Sequence, residues 1–414
     1  MKYDIKRDYL WNTLGVFAQN AISPLLLVIV TRLNGVSDSG IFSFAFSLSL
    51  IFWALGIWGG RTYQVSDVER EFTPRSYIAV RLILALFILL GSFAFCIINN
   101  YDVFKSMVIL ALVLFKVLES IADVLYGILQ VNGRLFIAGR SLLYKASIGL
   151  ATFLIIDTYS KNIFLSTLGV VVINFLILLM YDIPHAKKFD KIFIPISQTS
   201  RYISDATVIM KRCAAIAVVI FLSMFSLNIP RYFIDQYHGE QIGYFGILVM
   251  PITAIGLLIT FILQPNIVQL SKQLSEKLYH EFNMTLNKIL MVTVGIGVVV
   301  LVVAYLIGIR ALDLIFNIDF SPYQPALMII TVGALVNACV TIYINILTIM
   351  RHFKAQFYIL LVTNIVLTIL CVGIIKQYGL IGGAFLYFIV NSVQLGLLIL
   401  SYKNLMRQKR TIRV

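Results

Sequence analysis

The sequence predicts an all-α polytopic membrane protein. Twelve transmembrane helices are expected in two six-helix lobes related by a pseudo-twofold axis along the membrane normal, with both termini cytoplasmic. Three observations carry this. Hydrophobic residues make up 60% of the 414 positions and charged residues only 13%, against roughly 45–50% and about 25% in soluble domains. Breaks at charges, Pro, Gly and Asn cut the chain into apolar runs near the ~20 residues that a spanning helix needs. Lysine and arginine gather on one side of the resulting path, the side that faces the cytoplasm.

In chain order the runs are 11–32, 40–60, 80–99, 106–127, 141–157, 163–182, 213–233, 242–264, 289–308, 325–349, 356–375 and 380–401. The first is followed by Leu33-Asn34-Gly35-Val36-Ser37, which is not a small-residue cleavage site, so it reads as a retained helix. With the N-terminus inside, Arg32, Lys105, Lys161, Arg231, Arg310 and Lys376 lie outside and Lys116 lies within a span. All the others of the 33 Lys and Arg are cytoplasmic. On that path Arg61, Arg70, Arg75 and Arg81 share one inner loop, and Arg134, Arg140 and Lys145 the next. The longest non-membrane stretch, 184–212, is basic and cytoplasmic, and its part 200–212 suits an amphipathic surface helix. It divides an N-terminal lobe, 1–183, from a C-terminal lobe, 213–401, which a basic tail, 402–414, follows. The halves echo each other. Thr31-Arg32 precedes Gly40-Ile41-Phe42, and Pro230-Arg231 precedes Gly243-Tyr244-Phe245. With six helices per half, such a repeat is parallel, and transporters bind substrate between repeats of this kind.

The chemistry concentrates in the fourth run, where 112–130 reads LVLFKVLESIADVLYGILQ. At about 100° per residue, Lys116, Glu119 and Asp123 fall within about 60° of arc. Ser120, Tyr126, Gly127 and Gln130 flank them, and Val117, Leu118, Ile121, Leu125 and Ile128 oppose them. Each charge costs roughly 2.5–3.5 kcal/mol at the bilayer centre and therefore faces a partner or water. A polar pathway follows from that cost. Other spans carry neutral stripes: Asn12, Gln19 and Ser23; Thr253, Thr260 and Gln264; Asn337, Thr341, Asn345 and Thr348. These either bond helix to helix, at about 0.6 kcal/mol each, or line a wet, sugar-tolerant cavity, for which Gln19, Asn337 and Asn345 are the candidates. Arg32, Arg61 and Arg231 either snorkel to an interface or turn a guanidinium fork toward phosphate oxygens in the cavity. Glu119 and Asp123 either steady Lys116 or bind H⁺ or Na⁺ and couple transport to a gradient. Pro24, Pro230, Pro251 and Pro265 either mark bending points or serve helix packing.

Several classes drop out. The net charge of +14 reads as basic inner loops and not as a nucleic-acid surface. Cys96, Cys213, Cys339 and Cys371 lie in or beside apolar runs without C-x-x-C spacing and behave as small hydrophobes. His185, His238, His280 and His352 lie in loops without ligand spacing, so no metal site is expected. Asn283-Met284-Thr285 is a glycosylation sequon on the cytoplasmic side. No Walker A, G-x-S-x-G or H-E-x-x-H sequence occurs, so the chain is expected to be neither an enzyme nor dependent on a cofactor.

The segments Thr31-Arg32-Leu33 to Gly40-Ile41-Phe42, Gly56-Ile57-Trp58-Gly59-Gly60-Arg61, Tyr126-Gly127-Ile128-Leu129-Gln130 and Pro230-Arg231-Tyr232-Phe233-Ile234-Asp235 to Gly243-Tyr244-Phe245 resemble the Wzx-type polysaccharide flippases. These belong to the multidrug/oligosaccharidyl-lipid/polysaccharide (MOP) exporter superfamily, and the resemblance covers nearly the whole chain. It implies a V-shaped pair of lobes in the bacterial cytoplasmic membrane. Such a flippase moves undecaprenyl-pyrophosphate-linked oligosaccharide repeat units outward by alternating access, with an ion gradient as a driving force in some relatives. By position Arg32, Arg61, Lys116 and Arg231 are the cations that would meet the pyrophosphate. Implied partners are the lipid-linked oligosaccharide, membrane lipids, a polysaccharide polymerase and chain-length proteins. The competing reading is a drug or cation antiporter of the same superfamily, whose cavity acids would bind the cation. A major-facilitator carrier fits less well, because the loop Gly60-Arg61-Thr62-Tyr63-Gln64-Val65-Ser66-Asp67 lacks that family's G-x-x-x-D-R-x-G-R-like pattern. A polymerase would need a large outer loop.

Overall fold

Pro74 opens one of the long helices and Asp102 caps another, and between such signals the chain coils almost without interruption. A computed structural model describes residues 5–67 and 69–411, with no strand among them. The first helices are α1 (Ile5–Asn34), α2 (Val36–Ile57), α3 (Gly60–Ser66), α4 (Pro74–Ile98), α5 (Val103–Val131), α6 (Leu135–Ser160) and α7 (Ile163–Ile177). A π-helical turn, Leu178–Asp182, leads into α8 (Ile183–Lys187), and α9 (Thr199–Tyr237) follows. Then come α10 (Ile242–Leu248), α11 (Met250–Ser275), α12 (Tyr279–Val303), α13 (Ile309–Phe316), α14 (Gln324–Ile349) and α15 (Phe353–Thr411).

Among the described residues, ten helical segments are long and apolar enough to cross a membrane. Two features separate that number from the twelve expected runs. The run with the charged stripe is α5, and its charges exclude it on composition. The runs 356–375 and 380–401 fall in one helical stretch, α15, whose backbone leaves helical geometry at Gly379 (φ 54°, ψ −132°). That left-handed φ suits glycine, and a Cβ there would collide with Gln241 Oε1. The same oxygen accepts the Leu380 amide at 2.8 Å and holds the corner.

The chain divides into two compact units, Met1–Met224 and Phe225–Val414. In the first, α1 and α6 pack backbone to backbone. A Cβ on Gly15 would collide with the Gly139 carbonyl oxygen, and one on Gly139 would collide with the backbone of Trp11. Asp8 of α1 accepts the Phe136 amide at 2.9 Å, at the start of α6. Capping places other ends: Asp102 accepts the Lys105 amide before α5, and Asn162 accepts those of Phe164 and Leu165 in α7. α4 shows the orientation expected in lipid. Leu82, Leu86, Phe87, Leu90 and Phe93 are exposed on one face, while Val80, Arg81, Leu84, Ala85 and Ile88 are buried on the other. In the second unit the core joins Ile255, Ile259, Phe282, Leu286, Ile342 and Ile346 from α11, α12 and α14.

Three expectations change at this level. Arg81 and Lys145 are not inner-loop anchors; they lie inside α4 and α6 and are buried. Both helices begin before the apolar runs do, at Pro74 and Leu135. The stretch 200–212 is likewise the start of the 39-residue α9 rather than a separate surface helix. That start is bonded to the first unit: Trp58 Nε1 donates to the Met210 carbonyl at 2.9 Å, Ser76 to Asp205 at 2.8 Å, and Arg212 to the Tyr63 hydroxyl at 3.0 Å and to the Glu71 carboxylate.

The α1–α6 contact generates a prediction. Gly139→Ala forces the two backbones apart, and overpacking of this kind costs roughly 1–3 kcal/mol. A lower thermal midpoint for the detergent-purified variant, with an exposed-site alanine substitution as control, is the expected result.

Candidate functional site

The stripe on α5 is answered by groups from four other helices. Asp123 sits between two arginines. Its Oδ1 accepts from Arg61 Nη1 at 3.1 Å and its Oδ2 from Arg81 Nη2 at 3.0 Å. Arg81 is 2% exposed and also donates from Nη1 to the carbonyls of Gly56, at 2.7 Å, and Ile57. These are the last carbonyls of α2, so the guanidinium neutralises the negative end of that helix as well as the carboxylate. The chain then turns through Trp58 and Gly59, both left-handed (φ 42° and 63°), to start α3 at Gly60. Gly60 packs directly against the guanidinium, and a Cβ there would stand 3.4 Å from Arg81 Nη2, in ordinary van der Waals contact. One residue on, Arg61 faces the other side of Asp123 and donates from Nε and Nη2 to Gln130 Oε1 at 3.2 and 3.0 Å.

One turn toward the N-terminus of α5, Lys116 Nζ donates to Glu119 Oε2 at 2.7 Å, and Gln19 Nε2 of α1 donates to Glu119 Oε1. The ammonium also lies over the rings of Phe115 and Phe46, at 4.9 and 5.0 Å from their centroids, where the ring quadrupoles favour it. A third group forms toward the other end of the stripe. Lys145 Nζ of α6 donates to Asp182 Oδ2 at 2.5 Å and to the Tyr126 hydroxyl at 2.9 Å, and Tyr126 shares a 2.8 Å hydrogen bond with Ser141. Asp182 is 0% exposed and closes the π-helical turn. Such turns re-aim side chains within helices and recur at functional sites.

Members of the three groups line one cavity of about 110 Å³: Gln19, Arg61, Glu119, Asp123, Tyr126 and Lys145, together with Trp53. Across the three groups four cations (Arg61, Arg81, Lys116, Lys145) meet three carboxylates (Glu119, Asp123, Asp182) in ion pairs. Lys116–Glu119 and Lys145–Asp182 are each neutral. The Arg61–Asp123–Arg81 trio keeps one positive charge. Arg81 is shut in, whereas the Arg61 side chain is 28% exposed, so the surplus faces the cavity through Arg61.

The expected site residues are therefore placed in different ways. Gln19, Arg61, Lys116, Glu119 and Asp123 converge in the first unit. Arg32 is exposed in the last turn of α1 and is not among the cavity-lining residues. Arg231, Asn337 and Asn345 belong to the second unit. Arg231 Nη1 donates to Asn228 Oδ1 at 3.3 Å, Asn337 Nδ2 to Asn391 Oδ1 at 2.7 Å, and Asn345 Nδ2 to the Thr341 carbonyl at 2.8 Å. Sequence reasoning overlooked Arg81, Lys145 and Asp182. A signal was present: Pro74 is a helix-start residue that carries the helix past Arg81, and Lys145 stands among apolar residues with no turn former beside it.

No protein-family model matches the sequence. The chain is similar to the capsular polysaccharide biosynthesis protein CapF of Staphylococcus aureus, with 23% identity over 377 residues that cover 89% of this chain and 93% of CapF. Among solved structures, lipid II flippase MurJ in an inward closed conformation superposes with a TM-score of 0.72 at 16% identity, over 95% of this chain and 87% of MurJ. A point mutant of the Vibrio cholerae MATE transporter VcmN superposes with a TM-score of 0.66 at 12% identity, over 97% of each chain. The fold is thus the one shared by MurJ and the MATE transporters of the MOP superfamily, and the chain is a multi-pass membrane protein.

The buried Lys145–Asp182 pair supplies a test of this geometry. Lys145→Met leaves a carboxylate buried without a counter-charge, which costs roughly 3–5 kcal/mol. The double variant Lys145→Met/Asp182→Leu removes both charges and is expected to recover most of that loss. Thermal midpoints of wild type, both single variants and the double variant, compared as a cycle, check this.

Proposed function

We propose that this protein is a flippase of the bacterial cytoplasmic membrane that carries undecaprenyl-pyrophosphate-linked oligosaccharide repeat units to the outer leaflet. The reading takes the chain as twelve crossings in two six-helix lobes that alternate access, with both termini inside. The observation that carries it is the sign of the cavity. The ion-paired groups that reach it sum to one surplus positive charge, and the exposed part of that surplus is Arg61. A guanidinium presents donors in a planar fork that matches phosphate oxygens. Its hold on Asp123 and Gln130 keeps the side chain aimed before a ligand arrives, which lowers the ordering cost of binding. Asp123 remains neutralised by Arg81 when Arg61 turns to a phosphate, so the exchange strands no buried carboxylate.

The antiporter reading requires carboxylates free to take a cationic substrate. Both oxygens of Glu119 and both of Asp123 are already occupied by Gln19, Lys116, Arg61 and Arg81. The similarity to a capsular polysaccharide biosynthesis protein and the fold shared with a lipid II flippase support a lipid-linked substrate. Lys116 and Arg231 are secondary contacts in this reading, and a polysaccharide polymerase and chain-length proteins are the partners that would use the product.

Reconstituted vesicles with a lipid-pyrophosphate oligosaccharide, scored by access of a sugar-modifying reagent, test the proposal. Arg61→Ala is expected to slow flipping by about 10–100-fold, the equivalent of a charge-assisted hydrogen bond of about 1.5–3 kcal/mol. Arg61→Lys keeps the charge without the fork and is expected to fall between. Lys116→Ala and Arg231→Ala are expected to reduce flipping less. Wild-type flipping by Arg61→Ala at normal expression would remove the cavity charge as the basis of recognition.

A further inference from the structure

A second cavity, of about 190 Å³, opens in the first unit and shares no lining residue with the cavity at Arg61. Its lining includes Gln64 of α3, Asp67 and Arg70 of the turn that follows, Tyr77 of α4, Val131 at the end of α5, and Asp190. That volume is below the ~300–1,000 Å³ of drug-sized ligand sites and suits one ligand of headgroup size. Arg70 and Val131 are exposed, so the cavity opens to the surface beside them.

Three charged side chains on this lining, Asp67, Arg70 and Asp190, make no ion pair among the described residues. Asp67 accepts only from neutral donors: the Glu71 amide at 3.0 Å on Oδ1, and the Phe72 amide at 3.1 Å and the Tyr77 hydroxyl at 3.0 Å on Oδ2. Asp190 Oδ1 accepts the Lys191 amide at 2.7 Å. One cavity thus carries two carboxylates and a guanidinium, each without a counter-charge. Gln64 adds a buried group. It is 6% exposed, and its Nε2 donates to the Val124 carbonyl at 3.2 Å, while its buried Oε1 has no hydrogen-bond partner. Gly127 makes space for that amide, since a Cβ there would collide with it. A buried acceptor without a donor keeps its desolvation cost, which a ligand that donates offsets.

The cavity stands where a lipid headgroup would. α4 enters it with Pro74 and Tyr77, and the exposed apolar face of the same helix begins at Leu82. Phe72 and Tyr77 meet edge to face there, ring centroids 6.4 Å apart, at the level that aromatic residues favour in a membrane protein. The rings form no open cage for a quaternary ammonium, because Tyr77 is buried and the Arg212 guanidinium lies over Phe72 at 5.2 Å. Carboxylates recognise N–H donors instead. We propose that this cavity binds a primary-ammonium phosphodiester, the headgroup of an ethanolamine phospholipid, with its ammonium toward Asp67 and Asp190 and its phosphate toward Arg70. Gln64 and Arg61 share the short helix α3, so a headgroup seated beside Gln64 also steadies the helix that presents Arg61. The site goes beyond the flippase reading, and binding there requires no lipid-linked sugar.

The test uses the full-length protein purified in detergent and titrated with dilauroyl phosphatidylethanolamine, with the choline and glycerol phospholipids of the same acyl chains as controls. Bound lipid is counted by native mass spectrometry, and the thermal midpoint is followed in parallel. The expected result is saturable binding of the ethanolamine lipid, at least ~10-fold tighter than that of the choline lipid, the effect of about 1.4 kcal/mol. Asp67→Asn, Asp190→Asn and Arg70→Gln are each expected to weaken it. Asp190→Asn leaves the turn at Asp67 intact and serves where Asp67→Asn is not monodisperse. Soluble phosphoethanolamine forms a second arm and is expected to compete with the lipid. Its binding without any binding of the lipid would overturn the membrane source. Equal binding of ethanolamine and choline lipids, or a preference for the glycerol lipid, overturns recognition of the ammonium. So does binding that Asp67→Asn and Asp190→Asn both leave unchanged. Each of these outcomes leaves the phosphate reading at Arg61 standing, and wild-type flipping by Arg61→Ala with lipid binding intact separates the two in the other direction.

Discussion

Asp123 holds Arg61 on one carboxylate oxygen and Arg81 on the other, and the local arrangement of α2, α3, α4 and α5 depends on that clamp. A guanidinium sealed in a helix bundle is tolerated only with its charge and its donors answered. Arg81 meets both conditions at once, with Asp123 on one side and the terminal carbonyls of α2 on the other. The left-handed turn at Trp58 and Gly59 then has a structural reason. It ends α2 where Arg81 receives it and starts α3 where Arg61 can reach the same carboxylate. One fully used anion thereby creates one partly exposed cation.

The two units handle buried polarity differently. The first relies on ion pairs on and around α5, in which charges nearly cancel. The second joins its helices mainly through neutral groups: Asn337 with Asn391, and Gln394 with Ser226 and Thr363. Neutral amides and hydroxyls cost less to bury than charges and bond without a counter-ion, which suits scaffolding between helices. Charges cost more and are kept where a ligand offsets that cost.

Much of the architecture was legible in the residues. Hydropathy marked the apolar helices, and the angular spacing of Lys116, Glu119 and Asp123 identified the face that needed partners. Two boundaries misled. An apolar run shows where side chains prefer lipid or protein, not where the hydrogen-bonded backbone begins, so α4 and α6 start earlier than their apolar runs. Arg81 and Lys145 stand near the inner ends of their runs and so looked like loop anchors, whereas in the longer helices they lie well inside. In composition a buried arginine with three acceptors is indistinguishable from a solvated one.

By itself the sequence determined the membrane class, the helical content and the existence of a charged stripe on α5, because these follow from transfer free energies and from the 3.6-residue period, both local properties. Only the tertiary structure decided how the charges are shared. It gave Asp123 to two arginines, Glu119 to Gln19 and Lys116, and Asp182 to Lys145. Those pairings join residues far apart in the chain, with Gln19 and Glu119 separated by 100 positions. Coulomb energy depends on separation in space and on the dielectric around each pair, and neither quantity is written in the order of the residues.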